Sequence, residues 1–222
     1  MSKTADVIVV GSGPGGSIAA KYLAEAGFSV LILEAGPSVP HEIEQEYTSK
    51  EMINKYKNGG LTTTTGSANI NYVEASCVGG GSEINSGLYH RTPKYILDEW
   101  RKNYGFSSTD SEMEMIFREI ESYLEISKVP SKLIPEASTR LNKGAKIVGA
   151  KCVEVPRWYK MVNNKMEKTT ASKSYLKDAL QAGAKLKFGN KATFINRAGS
   201  KWLVKCKSSD GSIKMFGSKF LF

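Results

Sequence analysis

The chain has 222 residues, of which 41% are hydrophobic and 24% are charged, an ordinary composition for a folded protein with a sizeable core. Its net charge of +9 comes from lysines scattered through residues 132–219 without a nucleic-acid motif, so we predict no nucleic-acid partner. A short polar start leads directly into an apolar run, which predicts neither a signal peptide nor a membrane span, and favours a cytoplasmic location.

Residues 7–36 carry the strongest functional signal. The run Val7–Val10 is apolar at every position, as is typical of a parallel strand covered on both faces. A glycine-rich turn leads into an amphipathic helix with Gly27 as its left-handed stop. Its buried face is expected to consist of Ala19, Tyr22, Leu23 and Ala26. The apolar run Val30–Leu33 predicts a second strand, and this order of elements is that of a βαβ dinucleotide-binding unit.

The glycines between this strand and helix have the spacing G-x-G-x-x-G. In such a motif Gly11 turns the chain, Gly13 lets the backbone approach a pyrophosphate, and Gly16 lets helix and strand pack closely. The free amides and positive dipole end of the helix face the phosphates. Glu34, at the tip of the second strand, is placed to bind a ribose and disfavours a 2′-phosphate. The cofactor-binding residues predicted here are Gly11, Ser12, Gly13, Pro14, Gly15, Gly16, Glu34 and Ala35.

A second glycine cluster lies in residues 75–93, ASCVGGGSEINSGLYHRTP. Its consecutive glycines leave backbone amides free to line an anionic or electron-rich ligand. The segment resembles the first signature of the glucose-methanol-choline (GMC) oxidoreductases, flavoenzymes that oxidise alcohols. The residues that carry the resemblance are Gly79, Gly80, Ser82, Ile84, Asn85, Tyr89 and Arg91.

The resemblance to GMC oxidoreductases implies FAD as the cofactor, because in the family this loop lies along the flavin. The contacts that it implies are Gly79, Gly80, Ser82 and Asn85. Ile84 occupies the position of a histidine that carries covalent FAD in some members, so binding should be non-covalent. Glu83 replaces a residue that is commonly small: either it points to solvent, or the polarity near the flavin is altered. Residues 38–74 resemble the family's excursion over FAD, with a plain surface loop as the alternative.

Residues 109–126 show the clearest helical pattern of the remaining chain. Thr109 and Glu112 can form a capping box at its start. The apolar stripe expected in the core consists of Met113, Ile116, Phe117, Ile120 and Leu124.

Two more helices are predicted further along. One follows Pro135 and ends near Gly144 or Gly149. The other is capped by Ser172 and stops at Gly183. The apolar residues of this last helix are Tyr175, Leu176, Ala179 and Leu180.

From Leu186 onward the hydrophobic pattern has period two, which is typical of strands. The alternating residues are Trp202, Val204 and Cys206 on one side and Leu203 and Lys205 on the other. Asp210-Gly211 predicts a turn into a further strand, so the segment indicates a β-meander that rejoins the nucleotide-binding sheet. The apolar run 218–222 is expected to be an interrupted strand, which predicts a truncated chain, a split gene product or an incomplete sequence.

Few residues suit acid–base or metal chemistry. His41 lies in a polar loop and His90 has no paired acid nearby in sequence, so neither is predicted to be catalytic. The widely spaced Cys77, Cys152 and Cys206 predict buried apolar residues rather than disulfides. No cluster has metal-ligand spacing, so no metal site is predicted.

Together these patterns predict an α/β protein: an FAD-binding, Rossmann-like βαβ domain with a partial α+β substrate domain, truncated before the C-terminal half. The predicted parts are residues 1–95 for FAD binding, 96–184 for the substrate region and 185–222 for the returning meander. The resemblance implies hydride transfer from the CH–OH group of a small-molecule alcohol to FAD. In the family this reaction needs a catalytic histidine region that the present chain lacks. The resemblance therefore implies that the fragment alone is inactive and that a separate C-terminal half would supply the histidine region. Two alternatives stay open: another FAD- or NAD-dependent dehydrogenase that shares only the βαβ motif, and a non-catalytic nucleotide-binding remnant. The alcohol, the electron acceptor and the oligomeric state stay open as well.

Overall fold

A computed structural model describes residues 4–38 and 48–222. The helices are α1 (Pro14–Glu25), α2 (Ser49–Lys55), α3 (Lys94–Tyr104), α4 (Asp110–Tyr123), α5 (Glu136–Ile147) and α6 (Tyr175–Gln181). The strands are β1 (Thr4–Val10), β2 (Val30–Leu33), β3 (Thr62–Thr63), β4 (Asn71–Tyr72), β5 (Tyr159–Val162), β6 (Lys165–Lys168), β7 (Lys185–Lys187), β8 (Asn190–Ala198), β9 (Lys201–Ser208) and β10 (Ile213–Leu221). None of the helices in these ranges has the length and apolar character needed to cross a membrane.

The chain forms two compact units. The first unit consists of Met1–Asn85 and Thr170–Phe222, and the second unit is Ser86–Thr169. These boundaries lie before the predicted ones at 95 and 184. The second boundary lies before residue 184 because α6 packs on α1 in the first unit, whereas the sequence pattern alone placed α6 with the substrate region.

The first unit is built on a six-stranded sheet with the order β7-β2-β1-β10-β9-β8. The strand pairs β1–β2, β1–β10 and β2–β7 are parallel, with Val7 opposite Val30 and Gly217 opposite Thr4 in the register. The pairs β10–β9 and β9–β8 are antiparallel. The mixed α/β class and the Rossmann-like βαβ unit are therefore confirmed, and the segment from residue 190 is a meander whose last strand joins β1.

One face of the parallel strands is covered by two helices. Val9 and Ile32 pack there against Leu176 and Ala179 of α6 and against small residues of α1. The opposite face buries Ile8, Leu31 and Leu33 against Val204, Cys206 and Phe216 of the meander. Every residue of β2 is buried, which is the reason that its sequence is apolar without alternation.

The face that α1 buries differs from the predicted one. The buried residues are Ser17, Ala20 and Ala24, with Leu23 partly buried, whereas Ala26 is exposed and Tyr22 is 45% exposed. Small side chains let the helix lie close to the strands, so the large ring of Tyr22 turns outward, where Lys21 Nζ lies 4.7 Å from its centroid. The predicted stop is confirmed, because Gly27 has a φ of +87° directly after the helix.

The second unit contains α3, α4, α5 and the antiparallel hairpin of β5 and β6. The predicted capping box of α4 is present, with Thr109 Oγ1 accepting from Glu112 N and Glu112 accepting from Thr109 N. Its stripe is less buried than predicted: Ile116 is 42% exposed, and among the five predicted residues only Leu124 is buried. Residue spacing sets which side chains share a face, but it does not say how much of that face is covered.

Three further predictions are decided by the structure. The helix α5 runs through Gly144 and ends before Gly149, which has a φ of +70°. The predicted turn at Asp210 is present, and Asp210 Oδ1 accepts from Ser212 N at 2.9 Å. Cys77 and Cys206 are buried as predicted, but Cys152 is exposed, because it lies in an irregular segment rather than in the core.

Candidate functional site

The first glycine turn connects β1 to α1. Gly11 has a φ of +99°, and its N–H donates to Leu33 O at 2.8 Å, so the turn is tied to the tip of β2. The helix begins at Pro14 with Gly13 as its N-cap, and no side chain caps it. Pro14 has no N–H, and the amides of Gly15 and Gly16 precede the first intrahelical bond, which runs from Ser17 N to Gly13 O. These two amides point, with the positive end of the dipole, to the space before the helix. A Cβ on Gly16 would overlap Gly11 O, which confirms the close packing predicted for this glycine.

Glu34 lies at the tip of β2 as predicted, and its buried carboxylate binds the first glycine turn. Its Oε2 accepts from Ser12 N at 2.9 Å and from Ser12 Oγ at 2.7 Å, and its Oε1 accepts from Gly36 N at 2.8 Å. A carboxylate offers about four acceptor positions, so about one is left for a ribose hydroxyl. Glu34 thus stabilises the first glycine turn, and its contact with a ribose stays a prediction.

The structure brings the two predicted glycine motifs together. Gly79 N donates to Ser12 Oγ at 3.2 Å, although these residues are 67 positions apart in sequence. A Cβ on Gly80 would lie 2.8 Å from Gly13 Cα, so the two backbones touch at residues without side chains. The Ser12 hydroxyl, which donates to Glu34 and accepts from Gly79, lies at the junction of both turns.

The strand tip after Glu34 also contacts the second motif. A Cβ on Gly36 would overlap the backbone of Ser76 and Cys77, and Val78 N donates to Pro37 O at 3.0 Å. Alongside these crowded positions, a Cβ on Gly11, Gly15 or Gly81 would meet no atom within 4 Å. Crowded glycines therefore hold the two loops together, while other glycines leave open room beside exposed backbone.

The second motif forms a 3-10 turn over Gly80–Glu83. Ser82 is buried, and its Oγ donates to Gly79 O and accepts from Ala171 N, both at 2.8 Å. Glu83 is buried as well, so the alternative that it points to solvent is wrong. Its Oε1 accepts from Ser172 Oγ at 2.8 Å. Asn85 is exposed at the end of this turn, and its N–H donates to Gly81 O at 3.1 Å.

Residues 170–174 are the part of the site that sequence reasoning missed. Ser172 was predicted to cap α6, but its hydroxyl donates to Glu83 instead, and the N-cap is Ser174 without a side-chain cap bond. The helix begins at Tyr175, so Ser172 lies two positions before the N-cap, and its hydroxyl is used in the contact with Glu83. The sequence does contain a signal for such bonding, because four of the six residues from 169 to 174 carry hydroxyl groups, which favour side-chain hydrogen bonds to nearby groups.

The two other residues of the signature lie in the second unit. Arg91 Nη2 donates to Glu121 Oε2 at 2.7 Å, and Arg91 Nη1 donates to Glu114 Oε2 at 2.6 Å. Tyr89 donates to Glu121 Oε1 at 3.0 Å, and burial together with this carboxylate raises the pKa of Tyr89 to about 12. The Arg91 guanidinium in turn holds the pKa of Glu121 below its usual range. Tyr89 and Arg91 therefore anchor the chain after the second motif to α4.

The described residues offer little acid–base or metal chemistry beyond these contacts. His90 is exposed, and His41 lies outside the described residues. Within residues 4–38 and 48–222 no group of His, Cys, Asp or Glu side chains is arranged to hold a metal ion.

Comparison with known sequences agrees with the geometry of two joined glycine turns. The sequence model described as GMC oxidoreductase matches residues 52–219, and the one described as NAD(P)-binding Rossmann-like domain matches residues 9–46. The chain belongs to the GMC oxidoreductase family. The GMC match contains the second glycine motif, and the Rossmann-like match contains the first.

Curated relatives of this GMC chain include an uncharacterized GMC-type oxidoreductase, y4nJ, of Sinorhizobium fredii, which is 35% identical over 69% of this chain and 30% of its own length. Long-chain-alcohol oxidase FAO4A of Arabidopsis thaliana is 39% identical over 43% of this chain and 13% of its own. Long-chain-alcohol oxidase FAO3 of the same plant is 30% identical over 68% of this chain and 20% of its own. The chain therefore spans less than a third of the length of these relatives.

Proposed function

We propose that this GMC chain binds FAD non-covalently and forms the cofactor-binding part of an oxidoreductase that acts on the CH–OH group of an alcohol. The observation that carries the proposal is the junction of the two glycine motifs, where Ser12 joins Gly79 and Gly80 rests on Gly13. A nicotinamide dehydrogenase that shares only the βαβ unit needs the first motif but has no use for the second at this junction.

The residues present fit an adenine dinucleotide. The first-turn amides of α1 would hold the diphosphate, and the remaining acceptor position of Glu34 would take a ribose hydroxyl. The carboxylate would repel a 2′-phosphate, which favours FAD or NAD over a phosphorylated nicotinamide cofactor. Gly80, Ser82 and Asn85 would line the other end of the ligand. When bound, FAD would supply the chemistry by accepting a hydride from the alcohol carbon.

The chain's own contribution is binding and orientation. Its buried hydroxyls and carboxylates fix the two backbone turns before the ligand arrives, so little ordering remains for binding itself. We assign no catalytic base to the described residues, and we expect the 222-residue chain to bind FAD without oxidising alcohols by itself. Because four relatives are named long-chain-alcohol oxidases, a long-chain alcohol is the first substrate to test in a protein of full family length.

Calorimetric titration of the purified chain with FAD, and separately with NAD, tests the proposal. We expect heat of binding with FAD, and a much weaker response with NAD. A Ser12→Ala variant should bind FAD more weakly, because Gly79 N and Glu34 each lose a partner. Binding of NAD but not FAD would favour the alternative dehydrogenase, and binding of neither would overturn the proposal.

A further inference from the structure

A second segment of the chain supports the glycine turn over Gly80–Glu83, and nothing in the family signature predicts it. Ala171 N donates to Ser82 Oγ at 2.8 Å, and Ser172 donates to Glu83 Oε1 through both Oγ at 2.8 Å and N at 3.4 Å. These contacts join residues that are 89 positions apart in sequence. The turn is thus tied at two consecutive side chains to residues 170–174.

Glu83 sets the shape of the turn from beneath. Its side chain folds back under Gly79, where a Cβ would overlap its Oε1, and the residue is only 7% exposed. A buried carboxylate is costly unless charge-assisted hydrogen bonds satisfy it, and Ser172 supplies two of them. A smaller apolar residue would avoid that cost, so the acid at this position indicates a requirement for its bonds.

Residues 170–174 are themselves firmly held. Ser174 Oγ donates to Thr170 O at 2.7 Å, and Leu176 N donates to Ala171 O at 3.0 Å as the segment enters α6. Leu176 is 2% exposed in the core that α6 shares with α1. The second glycine turn is therefore anchored, through Glu83, to the same core that carries the first glycine turn.

We propose that Glu83 is a positioning residue of the cofactor site: held by Ser172, it fixes the turn 79–83 against the first glycine motif and so sets the affinity for the dinucleotide. The identity of the ligand in this inference rests on the proposed function. The effect of Glu83 on the turn 79–83 does not. The sequence left open whether Glu83 points to solvent. In the structure the Glu83 carboxylate is buried and contacts Ser172, so its proposed role is inside the protein.

The test compares Glu83→Ala, Glu83→Gln, Ser172→Ala and the double variant Glu83→Ala/Ser172→Ala in the 222-residue chain. Loss of charge-assisted bonds in a buried site should weaken FAD binding by about tenfold in Glu83→Ala and in Ser172→Ala. The double variant should lose little more than Glu83→Ala, because that single variant already removes the bond that Ser172→Ala removes. Glu83→Gln should recover most of the affinity, since its amide oxygen still accepts from Ser172. Glu25→Gln, on the exposed end of α1, is the matched control and should bind as the wild type does.

A second readout needs no FAD. In the cofactor-free protein, hydrogen exchange of residues 79–85 should accelerate several-fold in Ser172→Ala, and exchange of residues 170–174 should accelerate in Glu83→Ala, each at the far side of the lost contact. Unchanged hydrogen exchange of residues 79–85 in Ser172→Ala and of residues 170–174 in Glu83→Ala would overturn the proposed role of Glu83. Additive losses of affinity in the double variant would overturn it as well. If the wild type binds no FAD but the exchange effects appear, the proposed function fails while the structural link stands.

Discussion

Replacing Gly16 by alanine tests whether the first glycine turn is as tightly packed as it looks. A Cβ at this position would overlap Gly11 O and lie 3.2 Å from Val9 Cγ1. The carbonyl belongs to the turn itself, so relief requires moving backbone rather than rotating a side chain. In other dinucleotide-binding units alanine is accepted at this place, but here the Gly11 carbonyl occupies the room it would need.

The magnitude follows from two opposing effects. Overpacking of a closely packed site costs about 1–3 kcal/mol. Alanine gains about 0.5–1 kcal/mol over glycine inside a helix, and residue 16 lies in α1. We therefore expect Gly16→Ala to lower the free energy of unfolding by about 1 kcal/mol, within the range of about 0–2.5 kcal/mol that the difference between these effects allows.

Gly15→Ala provides the matched control. Gly15 lies in the same turn of α1, but a Cβ there would meet no atom within 4 Å. Only the helix-propensity effect applies, so the variant should be unchanged or more stable by up to about 1 kcal/mol. Urea unfolding of the cofactor-free chain, followed by far-UV circular dichroism, measures both variants. Equal unfolding midpoints for Gly16→Ala and Gly15→Ala would refute the steric reasoning.

Three further predictions concern parts of the molecule outside the glycine turns. Leu176→Ala should lower the free energy of unfolding by about 2–5 kcal/mol, because the side chain is buried between α6 and α1. Leu180→Ala, at a 40% exposed position of the same helix, is the control and should change the free energy of unfolding by less than about 1 kcal/mol in the same urea assay. The stabilisation due to Glu121, whose pKa is lowered by Arg91, should be complete above its ordinary pKa of 4.5 and disappear as the pH falls through the lowered value. The difference in unfolding midpoint between wild type and Glu121→Gln should then shrink with acidification, and a constant difference would contradict this. A thiol reagent should label one cysteine quickly in the native chain, Cys152, and the other two only after unfolding, as mass spectrometry of the labelled peptides would show.

The βαβ unit was predictable because all of its signals are local. The apolar runs of β1 and β2, the glycine spacing and the stop at Gly27 each report on a few neighbouring residues. The buried face of α1 was not predictable in the same way. Periodicity indicates which residues share a face, but the choice between the face of Tyr22 and that of Ala20 depends on how close the helix comes to the sheet.

The candidate site shows the same limit more sharply. The positions of both glycine motifs could be read from the sequence, and the structure brings them together. The bonds that join them could not be read, because Ser12 and Gly79, or Glu83 and Ser172, are paired only by the folded chain. A serine in a glycine-rich turn or before a helix commonly forms hydrogen bonds with neighbouring backbone groups. Its sequence position therefore gives no indication of a long-range partner.

The distribution of room around the glycines indicates where the site tolerates change. Gly15 and Gly81 have open space beside them, so a methyl group there would act on a ligand and leave the fold alone. Gly13 and Gly80 touch each other, so a methyl group on Gly80 would separate the two turns and alter ligand and fold together. Buried polar side chains add a third kind of position, because Ser12 and Glu83 contact backbone or side chains of other segments and hold the two turns in place. We therefore expect the affinity for the dinucleotide to fall when Ser12 or Glu83 is replaced, even though both side chains are buried within the protein.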